Sequence, residues 1–458
     1  MNHHFVLKAI IFISVFLYPC VYVQIGIPQV VQTDLKSDNG KTHSLTNILS
    51  GSNTSGSITS RSDTSLTQPK TSTTSFHGTA STTSQFKVKG IHVTSWVAGS
   101  DILFQKMINL LRETELNTVV IDLKEVDGII GYEVDVPMAK EIKATQRRIR
   151  DIDKVISLCN EYGIYKIARI TVFKDNQLAT KKPHLAVLDK LGNLWHDDDR
   201  RAWVNPYSKE VWEYNLTIAK DAVRHGFDEI QFDYVRFPSD GKIKNCCYGS
   251  EHSEEKAKKT ISEFVKFAKQ TLGTTAFLSI DVFGLTTCRD DVGIGQKFKE
   301  IAKNIDYISP MIYPSHYARG SYGMTNPDSQ AYKTVFLSLR DANRQIKETN
   351  CKIRPWLQDF SLGSSYGASE VRAQIKAVYA QGLDEWLLWN PRCNYTKNAL
   401  LADDKIKFVQ HTLPRQIPAA QINAFQILSK TLPLFYMYDP IMTIFESIIT
   451  LKELKIMN

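Results

Sequence analysis

From Val88 to Cys393, short apolar runs alternate with helical periods. Eight of the runs are rich in β-branched and aromatic residues. They are GIHVTSW from Gly90, TVVIDLKEV from Thr118, YKIARITVF from Tyr165, DEIQFDYVRF from Asp228, TAFLSIDVFG from Thr275, IDYISPMIY from Ile305, KIRPWLQDF from Lys352 and DEWLLWN from Asp384. Such near-continuous apolar runs predict strands of a parallel sheet buried on both faces. Helical stripes fill the gaps. Ala257, Ile261, Phe264, Val265, Ala268 and Leu272 form one, with Gly273 as its stop. A second starts at Ser208, buries Val211, Ile218 and Ala222, and ends at Gly226. A third starts near Ser369, buries Val371, Ile375 and Val378, and stops at Gly382. Apolar positions at this spacing with a terminal Gly are core stripes of helices.

Eight strand–helix units over roughly 300 residues are the pattern of a closed barrel. The predicted fold class is α/β, a (β/α)8 TIM barrel over residues 87–402. A doubly wound sheet is the runner-up, but no GxGxxG follows the first strand.

The flanks read differently. Residues 1–27 carry Lys8 and then the apolar run Ala9 to Val23. A positive charge ahead of such a run predicts a secretory signal peptide. It is short against the ~20 residues of a membrane span, and Pro19 interrupts it. No small-residue cleavage site follows, so an uncleaved membrane anchor is the alternative. In residues 28–86, Ser and Thr fill 24 of the 43 positions from Thr42 to Ser84, which predicts a disordered linker. Residues 403–458 include the apolar stretch Phe435 to Leu451, broken by Asp439, Pro440 and Glu446, and read as a helical C-terminal extension. The expected location is secreted or extracytoplasmic, with a membrane tether through the N-terminus if the segment is retained.

Composition narrows the function classes. With 43% hydrophobic residues the chain is neither disordered throughout nor a polytopic membrane protein. A net charge of +8 over 458 residues, without a dense basic block, does not suit a nucleic-acid binder. Seven cysteines show no zinc-ligand spacing. No P-loop, GxSxG elbow or cofactor motif is present, and neither a cofactor nor a metal is expected.

In a barrel, chemistry sits at the C-terminal ends of the strands. Those ends carry Asp122 and Lys124 on the second, Asp233 and Arg236 on the fourth, Asp281 on the fifth, Tyr313 and His316 on the sixth, and Asp359 on the seventh. Trp96 closes the first strand and Trp389 the eighth. An ionised Asp inside an apolar strand is costly unless it is paired or sits at a wet mouth. Each acid also has a plainer role: Asp122 neutralised by Lys124, Asp281 paired with Arg169, Asp359 organising a loop. Asp122 and Lys124 are expected to share one face, as side chains two apart on a strand do. Asp197, Asp198 and Asp199 read as a solvated acidic turn. Acids with aromatic rings at one mouth suit sugars, since carboxylates do acid, base or nucleophile work and flat rings pack on pyranose faces.

The stretch RAWVNPYSKEVWEYNLTIAKDAVRHGFDEIQFDYVRFPSDG resembles the signature of a bacterial family of TIM-barrel glycosyl hydrolases. KGIHVTSW, TVVIDLKEVDG, ISPMIYPSHY and RPWLQDF match it in order, so the resemblance covers about Lys87 to Ala402. It implies a barrel acting on glycans, and Asp233, at the centre of GFDEIQFDYVRFP, is the residue it carries over. The wider glycosidase superfamily puts a nucleophilic Asp at the fourth strand end and its acid partner on strand five, six or seven. Here strand five offers Asp281 and strand six no carboxylate.

The resulting expectation is a glycoside hydrolase acting on a polysaccharide or oligosaccharide. Asp233 is its nucleophile or stabiliser, and Asp281 or Asp359 its acid/base. Trp96, Asp122, Lys124, Arg236, Tyr313 and Trp389 are its substrate-binding residues. A non-catalytic glycan-binding barrel at the cell surface is the alternative. A metal-dependent deacetylase or aldolase-type barrel would need His ligands or an inward Lys, for which Lys124 alone offers itself. A Cys–His nucleophile has no His in an evident pairing position. Cys288 is placed to form a disulfide with Cys246 or Cys247.

Overall fold

The computed structural model describes residues 86–402. The segments read as signal or anchor, the linker up to residue 85, and the extension 403–458 lie outside the described residues. Within these, residues 86–111 and 116–400 form one compact unit, and 112–115 with 401–402 belong to a second. The first carries the barrel.

Its strands are β1 (Lys89–Val93), β2 (Thr118–Lys124), β3 (Tyr165–Thr171), β4 (Glu229–Asp233), β5 (Phe277–Phe283) and β6 (Tyr307–Ile312). They continue with β7, in two segments Lys352–Ile353 and Trp356–Gln358, and β8 (Trp386–Trp389). Pro355, which has no N–H to give, splits β7. All pairings are parallel, each strand with its successor, and β8 pairs with β1, so the sheet closes. The expected (β/α)8 barrel is the observed one.

The crossovers are α1 (Asp101–Glu113), α2 (Ile152–Glu161), α3 (Lys209–His225), α4 (Glu254–Leu272), α5 (Phe298–Ala302), α6 (Ala331–Ile346) and α7 (Ala368–Ala380). The Ser208 hydroxyl caps α3 by accepting from the Val211 N–H. Gly226 ends it at φ 99°, where a side chain would be strained. Val211, Ile218 and Ala222 lie buried beneath it, as their spacing predicts.

Apolar residues form two separate layers. One lies between sheet and helices. The other fills the barrel with Val88, Val120, Ile167, Trp356 and Leu387, topped by Tyr313. Gly90 makes room for this filling, since a Cβ there would meet Leu387 at 2.7 Å. At the N-terminal end of the strands, buried Arg354 binds Glu229 at 2.8 Å and Glu385 at 3.0 Å. That charge network lies at the end of the barrel away from the strand-end acids.

Candidate active site

The acids at the strand ends converge on one cation, Arg169 of β3. Register sets Asp122 beside it on β2, and Thr171 beside Asp233 on β4. Phe232 is opposite Ile280, so Asp233 and Asp281 stand side by side on neighbouring strands, ~4.8 Å apart in such a sheet. The Arg169 guanidinium bonds all three carboxylates: Nη1 to Asp122 at 2.5 Å, Nη2 to Asp233, and Nε to Asp281 at 3.4 Å. Trp356 donates its indole N–H to the other Asp281 oxygen at 2.8 Å. His92 on β1 binds the far side of Asp122 through Nε2 at 2.7 Å. Trp389 stacks on His92 at 3.9 Å between ring centroids, and the Arg169 guanidinium lies 4.9 Å from the Trp389 ring.

The charges are uneven. Burial pushes the Asp281 carboxyl well above the usual range, the Asp233 carboxylate pushes further, and Arg169 and Trp356 offset only part of this. Asp281 therefore keeps its proton beside Asp233. For Asp122 burial acts upward too, but His92 and Arg169 outweigh it and hold the carboxyl at about 2. Burial acts downward on His92, yet Asp122 raises its imidazole to about 9. A protonated carboxyl next to a second carboxylate on the adjacent strand is the pairing that glycosidic cleavage uses.

Tyr313 leans over this cluster. Its ring is buried, and that burial raises its hydroxyl well above normal. Tyr234, directly after Asp233, sits at φ 53°, in the left-handed region that a bulky residue seldom takes. Its own N–H bonds Asp233 Oδ1 at 2.6 Å, so the strained turn aims the carboxylate. Trp96 stands on the rim with 62% of its surface exposed, and Arg148 packs 5.0 Å from its ring centre.

Other candidates sit elsewhere. Lys124 does not share a face with Asp122, because the β2–β3 register shifts between the two residues. Its ammonium is buried against Asp175 at 2.7 Å, the Thr171 carbonyl and Asn215 of α3. It neither neutralises Asp122 nor offers the inward Lys of an aldolase-type site. Arg236 is buried among the rings of Trp203, Tyr234 and Phe283, and it donates to the Phe237 carbonyl and the Ser239 hydroxyl. These contacts tie it to the strand-four loop. Asp359 accepts from the Thr396 N–H at 2.9 Å and the Thr396 hydroxyl at 2.6 Å, which ties the strand-seven exit to the loop after β8. Asp197 is buried in an ion pair with Lys174 at 2.8 Å and accepts from the Trp203 indole, while Asp198 and Asp199 are exposed. The solvated turn thus holds for two of its three acids. The cysteines from Cys159 to Cys393 are free thiols. Cys288 sits against Tyr322 and Cys246 against Tyr248, so the expected disulfide is absent.

His92 and Trp356 were not singled out from sequence. His92 had a signal, being two residues from Gly90 on the inward face of β1.

A family model described as "Putative glycosyl hydrolase domain" matches residues 90–395. Among solved structures, a hypothetical protein from Ruminiclostridium thermocellum is 39% identical over 42% of this chain and 97% of its own, with a TM-score of 0.38. The PgaB (BpsB) glycoside hydrolase domain from Bordetella bronchiseptica is 10% identical over 69% of this chain and 99% of its own, at TM-score 0.52, a likeness of fold. An endo-β-1,4-mannanase from Thermotoga petrophila is 13% identical over 66% of this chain and 68% of its own, at TM-score 0.45. No curated protein matches the chain.

Proposed function

The chain belongs to this glycosyl hydrolase domain family, and from that premise we propose that it cleaves a glycosidic bond of an extracytoplasmic polysaccharide or oligosaccharide with retention of configuration. The observation that carries the reading is the pair Asp233 and Asp281, side by side on β4 and β5 at one guanidinium. Retaining enzymes hold their two carboxyls ~5–5.5 Å apart, inverting ones ~6.5–9.5 Å. Neighbouring strands suit the shorter spacing.

Asp281, which keeps its proton, protonates the leaving glycosidic oxygen. Asp233 attacks the anomeric carbon, and the bond to the leaving sugar breaks as the glycosyl–Asp233 ester forms. Asp281, now a carboxylate, takes a proton from water, whose oxygen displaces Asp233. Arg169 holds the two carboxyls in place. Trp389 and Trp96 offer rings to sugar faces. The apolar run Ala9 to Val23 and the Ser/Thr-rich segment after it support export of the barrel, tethered if the run is retained. Incubation with a panel of polysaccharides tests the reading: new reducing ends support it, and none across the panel count against it.

One observation favours a glycan-binding barrel without catalysis. Arg169 occupies all three carboxylates at once, as a purely structural cluster would. Binding to the panel without reducing ends would mark that case.

A further inference from the structure

Building on the glycosidase reading, we propose that Arg236 binds a carboxylate of the glycan, so that the sugars taken at this mouth are acidic.

Buried cations in this barrel have counter-charges. Lys124, Lys166, Arg169, Lys174, Lys258 and Arg354 are each buried, and each is ion-paired with a carboxylate. Arg236 is 6% exposed and is the one buried Lys or Arg among the described residues without an ion pair. A buried charge without a counter-charge is costly. Burial lowers its proton affinity, and the carboxylates in its surroundings, Asp233, Asp240 and Asp197, do not offset this. Each of them already serves another group. Asp233 is held by Arg169, and Asp197 by Lys174. Asp240 accepts from the Ser239 hydroxyl at 3.2 Å and from the Asp198 N–H at 3.3 Å.

Three rings fix the guanidinium in place. Its carbon lies 4.9 Å from the ring centres of Trp203 and Tyr234 and 4.8 Å from that of Phe283. Two of these rings flank the reacting carboxyls. Tyr234 directly follows Asp233. Phe283 is two residues beyond Asp281 on β5, and the register against β6 runs unbroken from Ser279 to Phe283, so both side chains share the inward face. Arg236 therefore stands beside the Asp233–Asp281 pair. Part of its fork is engaged: Nη1 donates to the Phe237 carbonyl at 3.0 Å and to the Ser239 hydroxyl at 3.1 Å. Nε and Nη2 donate to no group of the described residues, yet neither is sealed from solvent. Their N–H groups lie in parallel along one edge of the planar guanidinium, an edge that pairs with both oxygens of a carboxylate. Arg169 cannot take that part, because its donors go to Asp122, Asp233 and Asp281. A sugar carboxylate on Arg236 supplies the missing counter-charge.

The test is ligand-observed NMR of the folded chain with paired monosaccharides: D-glucuronate against D-glucose, D-galacturonate against D-galactose, and D-mannuronate against D-mannose. At least one acid should bind roughly tenfold tighter than its neutral partner, as a charge-assisted pair of hydrogen bonds gives. Its affinity should fall with added salt. Arg236→Gln should bring the ratio close to one. Arg236→Lys, which keeps the charge and loses the fork, should fall between. Acids bound no tighter than neutral sugars in every pair overturn the proposal, whether or not the variants fold. Reducing ends from neutral polysaccharides would then leave the glycosidase reading standing. A preference unchanged in folded Arg236→Gln also overturns the proposal. A preference lost in that variant, with no reducing ends from any polysaccharide, supports acid recognition and removes the catalytic reading instead.

Discussion

Asp281 stands beside Asp233 across the β4–β5 register, and burial with that neighbouring charge keeps a proton on Asp281. Its proton affinity is raised in the fold, so the folded state holds a proton that the unfolded chain releases above about pH 4. The stability this contributes is full below that pH and falls as pH rises toward the folded value. Asp281→Asn imitates the protonated carboxyl. It should remove this decline, leave the melting temperature at pH 7 unchanged or higher, and abolish hydrolysis. Thermal melts across pH, beside activity assays, check it.

His92 and Asp122 bias stability in opposite directions. The imidazole is raised from 6.5 to about 9 by its carboxylate, so its contribution is full below about pH 6.5 and lost as pH climbs through 9. Asp122 is lowered from 3.8 to about 2, so its contribution is present above about pH 4 and lost toward pH 2. The His92 contribution is on the order of 3 kcal/mol. In His92→Gln the alkaline decline in melting temperature between pH 6.5 and 9 should flatten; an unchanged slope would contradict the pair.

Arg169 joins three buried carboxyls. Arg169→Met leaves them without their shared cation and should cost about 3–5 kcal/mol at neutral pH. The deficit should shrink toward about pH 4, where carboxyls take up protons. Urea unfolding at the two pH values measures it, and an equal deficit at both would show that packing, not charge, is lost.

Asp359 divides stability from catalysis. Both its oxygens serve Thr396. Asp359→Ala should lose about 1–3 kcal/mol and retain turnover at temperatures where it is folded. Loss of turnover with an unchanged melting temperature would return Asp359 to the catalytic set.

The strands were legible because their apolar runs are nearly unbroken, and the acids because each interrupts such a run at its end. The ion pair of Asp281 with Arg169 could be anticipated from two charges on inward strands. That Arg169 also takes Asp122 and Asp233 could not, because it depends on how far one side chain reaches across a closed barrel. Lys124 was misplaced by the register shift after Asp122, which no alternation rule registers. Tyr395 reaches the His92 carbonyl only because β8 closes on β1.

The assignment of Asp281 as acid and Asp233 as nucleophile is tested most directly by leaving-group dependence. On the glycan that yields reducing ends, Asp281→Ala should lose nearly all activity. On an aryl glycoside of the same sugar with a good leaving group, which needs little protonation, it should keep much of the wild-type rate of glycosyl–enzyme formation. Asp233→Asn should be inactive on both. Equal loss on both substrates in Asp281→Ala would contradict the account.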